Sequence, residues 1–213
     1  MALCEAAIAR LGMATSTAGA EFETRYKFSL PNAGKVALGL QLTHMFDYDM
    51  TLNGLTYDLA GTHGPAIVSG DTGNPKNRAQ LTLSYETGAL TISATTNYIS
   101  GYDVTDPSNG WPDCDSSLQA YNSRWSGSAP VQYCKVASFT YTNLALQYKL
   151  NKAWTLSGSI TNLFDKAPPI DAQTYGGTGA NSSSNGTGAP YNPSLHQIGA
   201  VGRYFNVGAN YKF

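Results

Sequence analysis

No run of eighteen or more apolar residues occurs in this 213-residue chain, which excludes transmembrane helices. Charge is scarce as well: 13% of residues are charged, against the ~25% usual in a soluble domain. The formal net charge is −1, so no basic field is available to displace counterions from a nucleic acid, and no nucleic-acid partner is expected. The three histidines, His44, His63 and His196, lie at no helical or finger spacing, which argues against a metal centre. No Gly-x-Ser-x-Gly element, phosphate-binding glycine loop or Ser–His–Asp grouping stands out, so no catalytic residue and no cofactor are expected. The N-terminus is a poor export signal: no basic segment precedes its apolar run, which Glu5 and Arg10 interrupt. Leu3, Ala7, Ile8 and Leu11 have helical spacing, consistent with a short helix there.

What the chain has instead is alternation. Its last eleven residues put Arg203, Phe205, Val207, Ala209, Tyr211 and Phe213 in one phase of period two, and Tyr204, Asn206, Gly208, Asn210 and Lys212 in the other. That pattern places each set on one face of a strand. Aromatics at the ends and small aliphatics in the middle suit a bilayer, whose two interfaces favour amphipathic rings. The same alternation runs through residues 19–30, where Ala20, Phe22, Tyr26, Phe28 and Leu30 oppose Glu21, Glu23, Arg25, Lys27 and Ser29. After a turn at Pro31–Gly34, residues 35–48 return with Val36, Leu38, Leu40, Leu42, His44, Phe46 and Tyr48 in one phase.

Two more hairpins follow. One pairs the row Ala79, Leu81, Leu83, Tyr85 with Leu90, Ile92, Ala94, Tyr98; the other pairs Leu144, Leu146, Tyr148, Leu150 with Trp154, Leu156, Gly158, Ile160. Phe139 and Tyr141 lie out of phase with Leu144, which marks either a bulge or inward-facing rings. Seven strands result, joined by short connections at about 31–34, 87–88 and 151–152 and long ones at 49–75, 103–135 and 165–198. A soluble β-sandwich is the alternative, but sandwiches rarely sort their loops this way. Membrane barrels do, with short periplasmic turns and long extracellular loops. The fold expected is therefore all-β: a transmembrane antiparallel β-barrel. Leu40, Leu83, Leu146 and Val207 should face lipid, and Gln41, Thr82, Gln147 and Asn206 the lumen.

Thr161-Asn162-Leu163-Phe164-Asp165-Lys166-Ala167-Pro168-Pro169 ends the sixth strand. Tyr191-Asn192-Pro193 comes after a long loop, and Gly202-Arg203-Tyr204-Phe205 opens a strand that finishes on Phe213. In this order the set resembles the C-terminal end of TonB-dependent outer-membrane receptors, most strongly over residues 139–213 and extending back to about residue 15. The resemblance implies a receptor in the outer membrane of a Gram-negative bacterium. It would import a scarce nutrient, such as a ferric siderophore, a vitamin or an oligosaccharide, with energy from the coupling protein TonB. A barrel enzyme and a passive, structural porin-like barrel are the competing classes. The family's barrel of 22 strands, its plug domain and its N-terminal coupling box are not matched here. The chain is accordingly expected to be a C-terminal portion, a partial barrel of about seven strands. Residues 1–18 would then be the remnant of an extracellular loop, or a short helix, and residues 19–213 the barrel part. TonB would act through the missing N-terminal part. Phe205, Val207, Ala209, Tyr211 and Phe213 would be the signal read by the barrel-assembly machinery, and outer-membrane lipid would surround the wall.

The loops carry the remaining candidates. Cys114 and Cys134 share one loop, and a disulfide is favoured between them in an oxidising setting over two unpaired thiols; Cys4 is left over. Closing such a loop contributes about 3 kcal/mol in the chain-entropy model. Asp103, Asp106, Asp113 and Asp115 lack the oxygen-donor spacing of a calcium loop and read as a solvated acidic stretch. Trp111, Tyr121, Trp125, Tyr133 and Tyr175 either stack on a small-molecule ligand or serve as packing anchors.

Overall fold

The computed structural model describes residues 13–31, 33–64, 73–105, 107–109, 134–171 and 191–213. Seven long strands are present: β1 (Met13–Leu30), β2 (Gly34–Leu52), β4 (Asn77–Thr87), β5 (Leu90–Ile99), β8 (Phe139–Lys149), β9 (Trp154–Thr161) and β10 (Tyr204–Tyr211). They pair in the order β1-β2-β4-β5-β8-β9-β10, every pairing antiparallel. A short strand β3 (Leu55–Asp58) adds to β2, and β6 (Tyr102–Asp103) pairs with β7 (Lys135–Val136). Among the described strands β1 and β10 do not pair with each other, so the sheet is open. The expected strand count and order hold, and so does the partial barrel.

Register confirms the two faces. Reading across the sheet, Phe28, Val36, Tyr85, Ile92, Leu146, Gly158 and Val207 are successive partners and therefore share a face. Leu40 and Leu83 lie on that face by the same count. Gln41, Thr82, Gln147 and Asn206 fall on the other. The apolar face lies open, with Leu83 45%, Val207 87% and Phe205 67% exposed. The polar face ties itself across strands, as between Gln80 and Asn97 (2.9 Å) and between Ser84 and Ser93 (2.8 Å). Thr96 and Thr142 bond on the apolar face (3.0 Å), so their hydroxyls satisfy each other there. The rings of Phe139 and Tyr141 are resolved by unbroken β5–β8 register: there is no bulge, and both turn to the polar face.

Four boundaries move. β1 begins at Met13, six residues before the expected start, so residues 13–18 are strand; a helix over residues 3–12 lies outside the described residues. β2 continues to Leu52 and turns back into β3 through Asn53-Gly54, with φ of 53° and 82°, where the expectation was a loop from residue 49. That Asn-Gly pair is a strong hairpin signal because both central residues of a type I′ turn need positive φ. β6 and β7 shorten the loop expected over 103–135 at its two ends. The last strand starts at Tyr204, not 199, because Pro193–Val201 is a helix, α1. Asn192 caps it, accepting from the backbone N–H groups of Ser194 and Leu195, Pro193 opens it, and the Gly202 N–H closes it on the Ile198 carbonyl.

The alternation also changes phase at one level of the sheet. In β2, Phe46 is an extra residue: Ala18 pairs with Asp47 and Gly19 with Met45. His44 and Phe46 stay together, rings 4.8 Å apart, but beyond the bulge Asp47 and Asp49 take the formerly apolar face. Tyr48, expected in the lipid-facing row, turns to the opposite face, as does Met50, which is fully buried. The β5–β8 hairpin does the same where it passes into β6–β7. Tyr102 and Val136 turn inward and are buried, which leaves their neighbours Asp103 and Lys135 outward. A bilayer needs only about 9–11 residues of a strand, and β1 and β2 have 18 and 19. Both flips lie at the end of the strands that joins the long loops, where the outward face ceases to be apolar.

Candidate functional site

The buried residues among those described gather at this loop end. Met50, Leu59, Ala60, Tyr102, Val104, Val136 and Phe139 form the apolar part, and Leu195 of α1 packs on Tyr102, Val104 and Val136. A polar network threads it. Asn192 Nδ2 donates to the Tyr102 hydroxyl (2.8 Å), which donates to Asp171 Oδ2 (3.2 Å); His63 Nε2 stands 3.4 Å from the same oxygen. The ring of His196 stacks parallel to Tyr102 at 6.5 Å and meets Phe139 edge-on at 5.4 Å. Both its nitrogens are buried, with no hydrogen-bond partner among the described residues. Burial pushes the His196 pKa down to about 4, the Asp171 carboxylate pulling the other way.

The histidines are scattered in sequence; the fold brings both His63 and His196 beside one tyrosine, at ring distances of 5.9 and 6.5 Å. Asn192 enters the sequence analysis only through the Tyr191-Asn192-Pro193 segment; the Asn-Pro pair is the signal that could have marked it as an N-cap. Its second job, holding Tyr102 with Nδ2, joins residues ninety positions apart, which no local pattern shows. His63, Tyr102, Asp171, Asn192 and His196 are each less than 5% exposed or fully buried. Sealed in this way, the network fixes the loops to the strand ends and presents no atom for a substrate.

The Asn-Leu-Phe-Asp and Gly-Arg-Tyr-Phe segments meet beside it. Asn162 has a φ of 51° and closes a turn with Lys166 through both side-chain atoms (2.9 and 3.0 Å); its own N–H donates to Asn143 Oδ1 (3.0 Å). Asp165 Oδ1 accepts the backbone N–H of Arg203 (2.9 Å), and the Arg203 guanidinium donates to the Leu163 carbonyl (3.3 Å). The two motifs are thus halves of one clasp, which joins the end of β9 to the start of β10 across the intervening loop.

Trp111, Tyr121, Trp125, Tyr133, Tyr175, Cys4, Cys114, Asp106, Asp113 and Asp115 lie outside the described residues. Cys134 is disulfide-bonded. Asp103 pairs with Lys135 at 3.3 Å. His44 shares a 2.6 Å hydrogen bond with Asn77. In β10, Phe205, Val207, Ala209 and Tyr211 lie on the apolar face; Tyr211 contacts the rings of Trp154 (4.9 Å) and Phe213 (5.0 Å).

A family model for "TonB dependent receptor-like, beta-barrel" matches residues 7–163. The match begins before the span of strongest resemblance and stops inside the Asn-Leu-Phe-Asp segment, leaving the Gly-Arg-Tyr-Phe strand beyond it. No curated protein matches. With most of its length inside that family's barrel, and its open antiparallel sheet sorted into short turns and long loops, the chain belongs to the TonB-dependent receptor-like β-barrel family.

Proposed function

We propose that this chain forms part of the wall of an outer-membrane receptor that imports a scarce nutrient, such as a ferric siderophore, a vitamin or an oligosaccharide, with energy delivered by TonB. The family match over residues 7–163 carries this reading. The fold supports it: the apolar face suits lipid, the polar face suits a water-filled lumen, and short turns at one end suit the periplasm. Loop aromatics Trp111, Tyr121, Trp125, Tyr133 and Tyr175 are the proposed ligand contacts, and Cys114 with Cys134 the proposed disulfide. The terminal strand through Phe213 is the proposed address for the barrel-assembly machinery. In a Gram-negative host lacking this gene, uptake of labelled ferric siderophores, cobalamin and oligosaccharides should fall for one substrate class. Dissipating the proton-motive force should reproduce that loss in the parent strain. Uptake of every class unchanged by the deletion would remove the transport reading.

A further inference from the structure

The sealed network leaves one side of α1 open. His196 and Gly199 plant the helix on Phe139. Ser194, Gln197, Ile198 and Val201, at i, i+3, i+4 and i+7, form the opposite stripe. Together with Tyr141 and Tyr204 that stripe lines an open groove of about 530 Å³. Both tyrosines stand on the polar face, Tyr141 opposite Asn97 and Tyr204 opposite Thr161. Tyr204 is 45% and Val201 58% exposed. Pro193 and Leu195 complete the lining, so no member of it carries a charge. Among the described residues, the hydroxyls of Tyr141, Tyr204 and Ser194 and the amide of Gln197 make no hydrogen bond, which leaves four neutral polar groups free beside two rings and two aliphatic chains.

We propose that this groove is a binding site for a neutral oligosaccharide, with sugar rings stacked on Tyr141 and Tyr204 and their hydroxyls bonded to Gln197 and Ser194. Two observations select that class. The lining pairs aromatic and aliphatic surface with hydroxyl and amide groups, and a sugar ring has the complementary make-up, C–H groups on its faces and hydroxyls round its rim. An anionic ferric chelate would need cations, and the groove offers none. The wall beside the groove points the same way. On the polar face of β5, β8, β9 and β10 the side chains are hydroxyls and amides such as Thr95, Asn97, Asn143, Ser157 and Asn206, and Lys149, at the short-turn end, is the one charge. Charges gather instead on the polar face of β1, β2 and β4, at Glu23, Arg25, Lys27, Lys35, Arg78 and Glu86. The inference rests on the receptor reading above and narrows it to one substrate class.

The test uses the full-length receptor purified from its native membrane in mild detergent and applied to an array of neutral and acidic oligosaccharides. Ferric citrate, ferric enterobactin and cobalamin are titrated in parallel. A neutral oligosaccharide should bind. Tyr141→Ala and Tyr204→Ala should each weaken it about tenfold, the order of one lost ring contact. Tyr141→Phe and Tyr204→Phe, which keep the rings, should stay within about fivefold of wild type, the order of one neutral hydrogen bond. Gln197→Ala should also cost about fivefold, and because Gln197 is exposed on α1 this variant leaves the packing intact. All variants are compared in protein that still shifts on heating. Sugar affinity equal to wild type in all three alanine variants, or no neutral oligosaccharide bound, would overturn the site. So would an acidic or iron-bearing ligand whose affinity falls in those variants. Loss of ferric-chelate or cobalamin uptake on deleting the gene, with sugar uptake unchanged, would uphold the receptor reading and overturn the groove. Sugar binding that fails in the variants, with uptake of that sugar indifferent to the proton-motive force, would uphold the groove and strike energy-coupled transport alone.

Discussion

His196 carries the largest electrostatic cost in the loop-end network. Its two nitrogens have no partner among the described residues, and burial holds its pKa at about 4 against the usual 6.5. The folded chain therefore binds this proton less readily than the unfolded chain. This group's contribution to stability is full above pH 6.5, declines as pH falls toward 4, and is gone below it, a swing on the order of 3 kcal/mol. Asp171, His63 and the Tyr102 phenol are the other ionisable groups of the network among the described residues, so the swing belongs to a neighbourhood in which one carboxylate stands near two imidazoles. His196→Phe should flatten the melting temperature of the folded protein between pH 6.5 and 4 while preserving contact with Tyr102 and Phe139. An unchanged slope would move the titration to another group. Gly199 makes a steric prediction of the same kind. A Cβ there would sit 2.7 Å from the Pro168 nitrogen and 2.9 Å from the Phe139 ring. Gly199→Ala should lift α1 off β8 and cost roughly 1–3 kcal/mol, read as a lower urea midpoint. A midpoint equal to wild type would mean that the helix is not seated as described.

At the scale of elements, the alternation of each strand and the flip that ends it make separate predictions. Leu83→Lys puts a charge among lipid chains and should cost about 2–4 kcal/mol, whereas Thr82→Lys, one residue away on the lumen face, should cost under about 1 kcal/mol. Folding equilibria of the two variants in lipid vesicles measure the difference, and equal costs would contradict the assignment of faces. The Phe46 bulge supplies a sharper test. Deleting Phe46 removes the extra residue and keeps Ala18 opposite Asp47, so Asp47 and Asp49 stay outward and Met50 inward. The Phe46 deletion should therefore leave both the heat-shift of the assembled protein and the protease resistance of the β2–β3 extension at wild-type levels. Proteolysis of that extension in the deletion variant would show that pairing with β1 does not set its phase.

The whole sheet raises a question of closure. Six antiparallel steps separate β1 from β10, so both run in the same direction. Joined to each other they would form a parallel seam, and each edge instead suits an antiparallel neighbour. All 18 residues of β1 are exposed. Unpaired edge groups cost several kcal/mol each in hydrocarbon and template aggregation in water. Produced by itself, the 213-residue chain should collect in inclusion bodies and refold poorly in detergent. A monodisperse, heat-modifiable monomer on size exclusion would show that these strands close by themselves.

What the sequence determined by itself is what period two and turn chemistry encode locally. The seven long strands, their faces and the sorting of short turns from long loops could all be read because each depends on neighbours a few residues apart. Asn53-Gly54 and Asn192-Pro193 are equally local signals that could have marked the β2–β3 turn and α1, where loops were expected. Only the tertiary structure decided the phase at the loop end. Whether Tyr48 or Tyr102 points inward depends on how many residues a partner strand sets opposite them, and a strand's own sequence does not contain that count. The convergence of His63, Tyr102, Asp171, Asn192 and His196 is decided there too. So is the Asp165–Arg203 clasp, because each joins residues dozens of positions apart, and hydrogen bonds at such separations leave no trace in periodicity. The sequence fixes which side of each strand is apolar; pairing between strands fixes where that side ends.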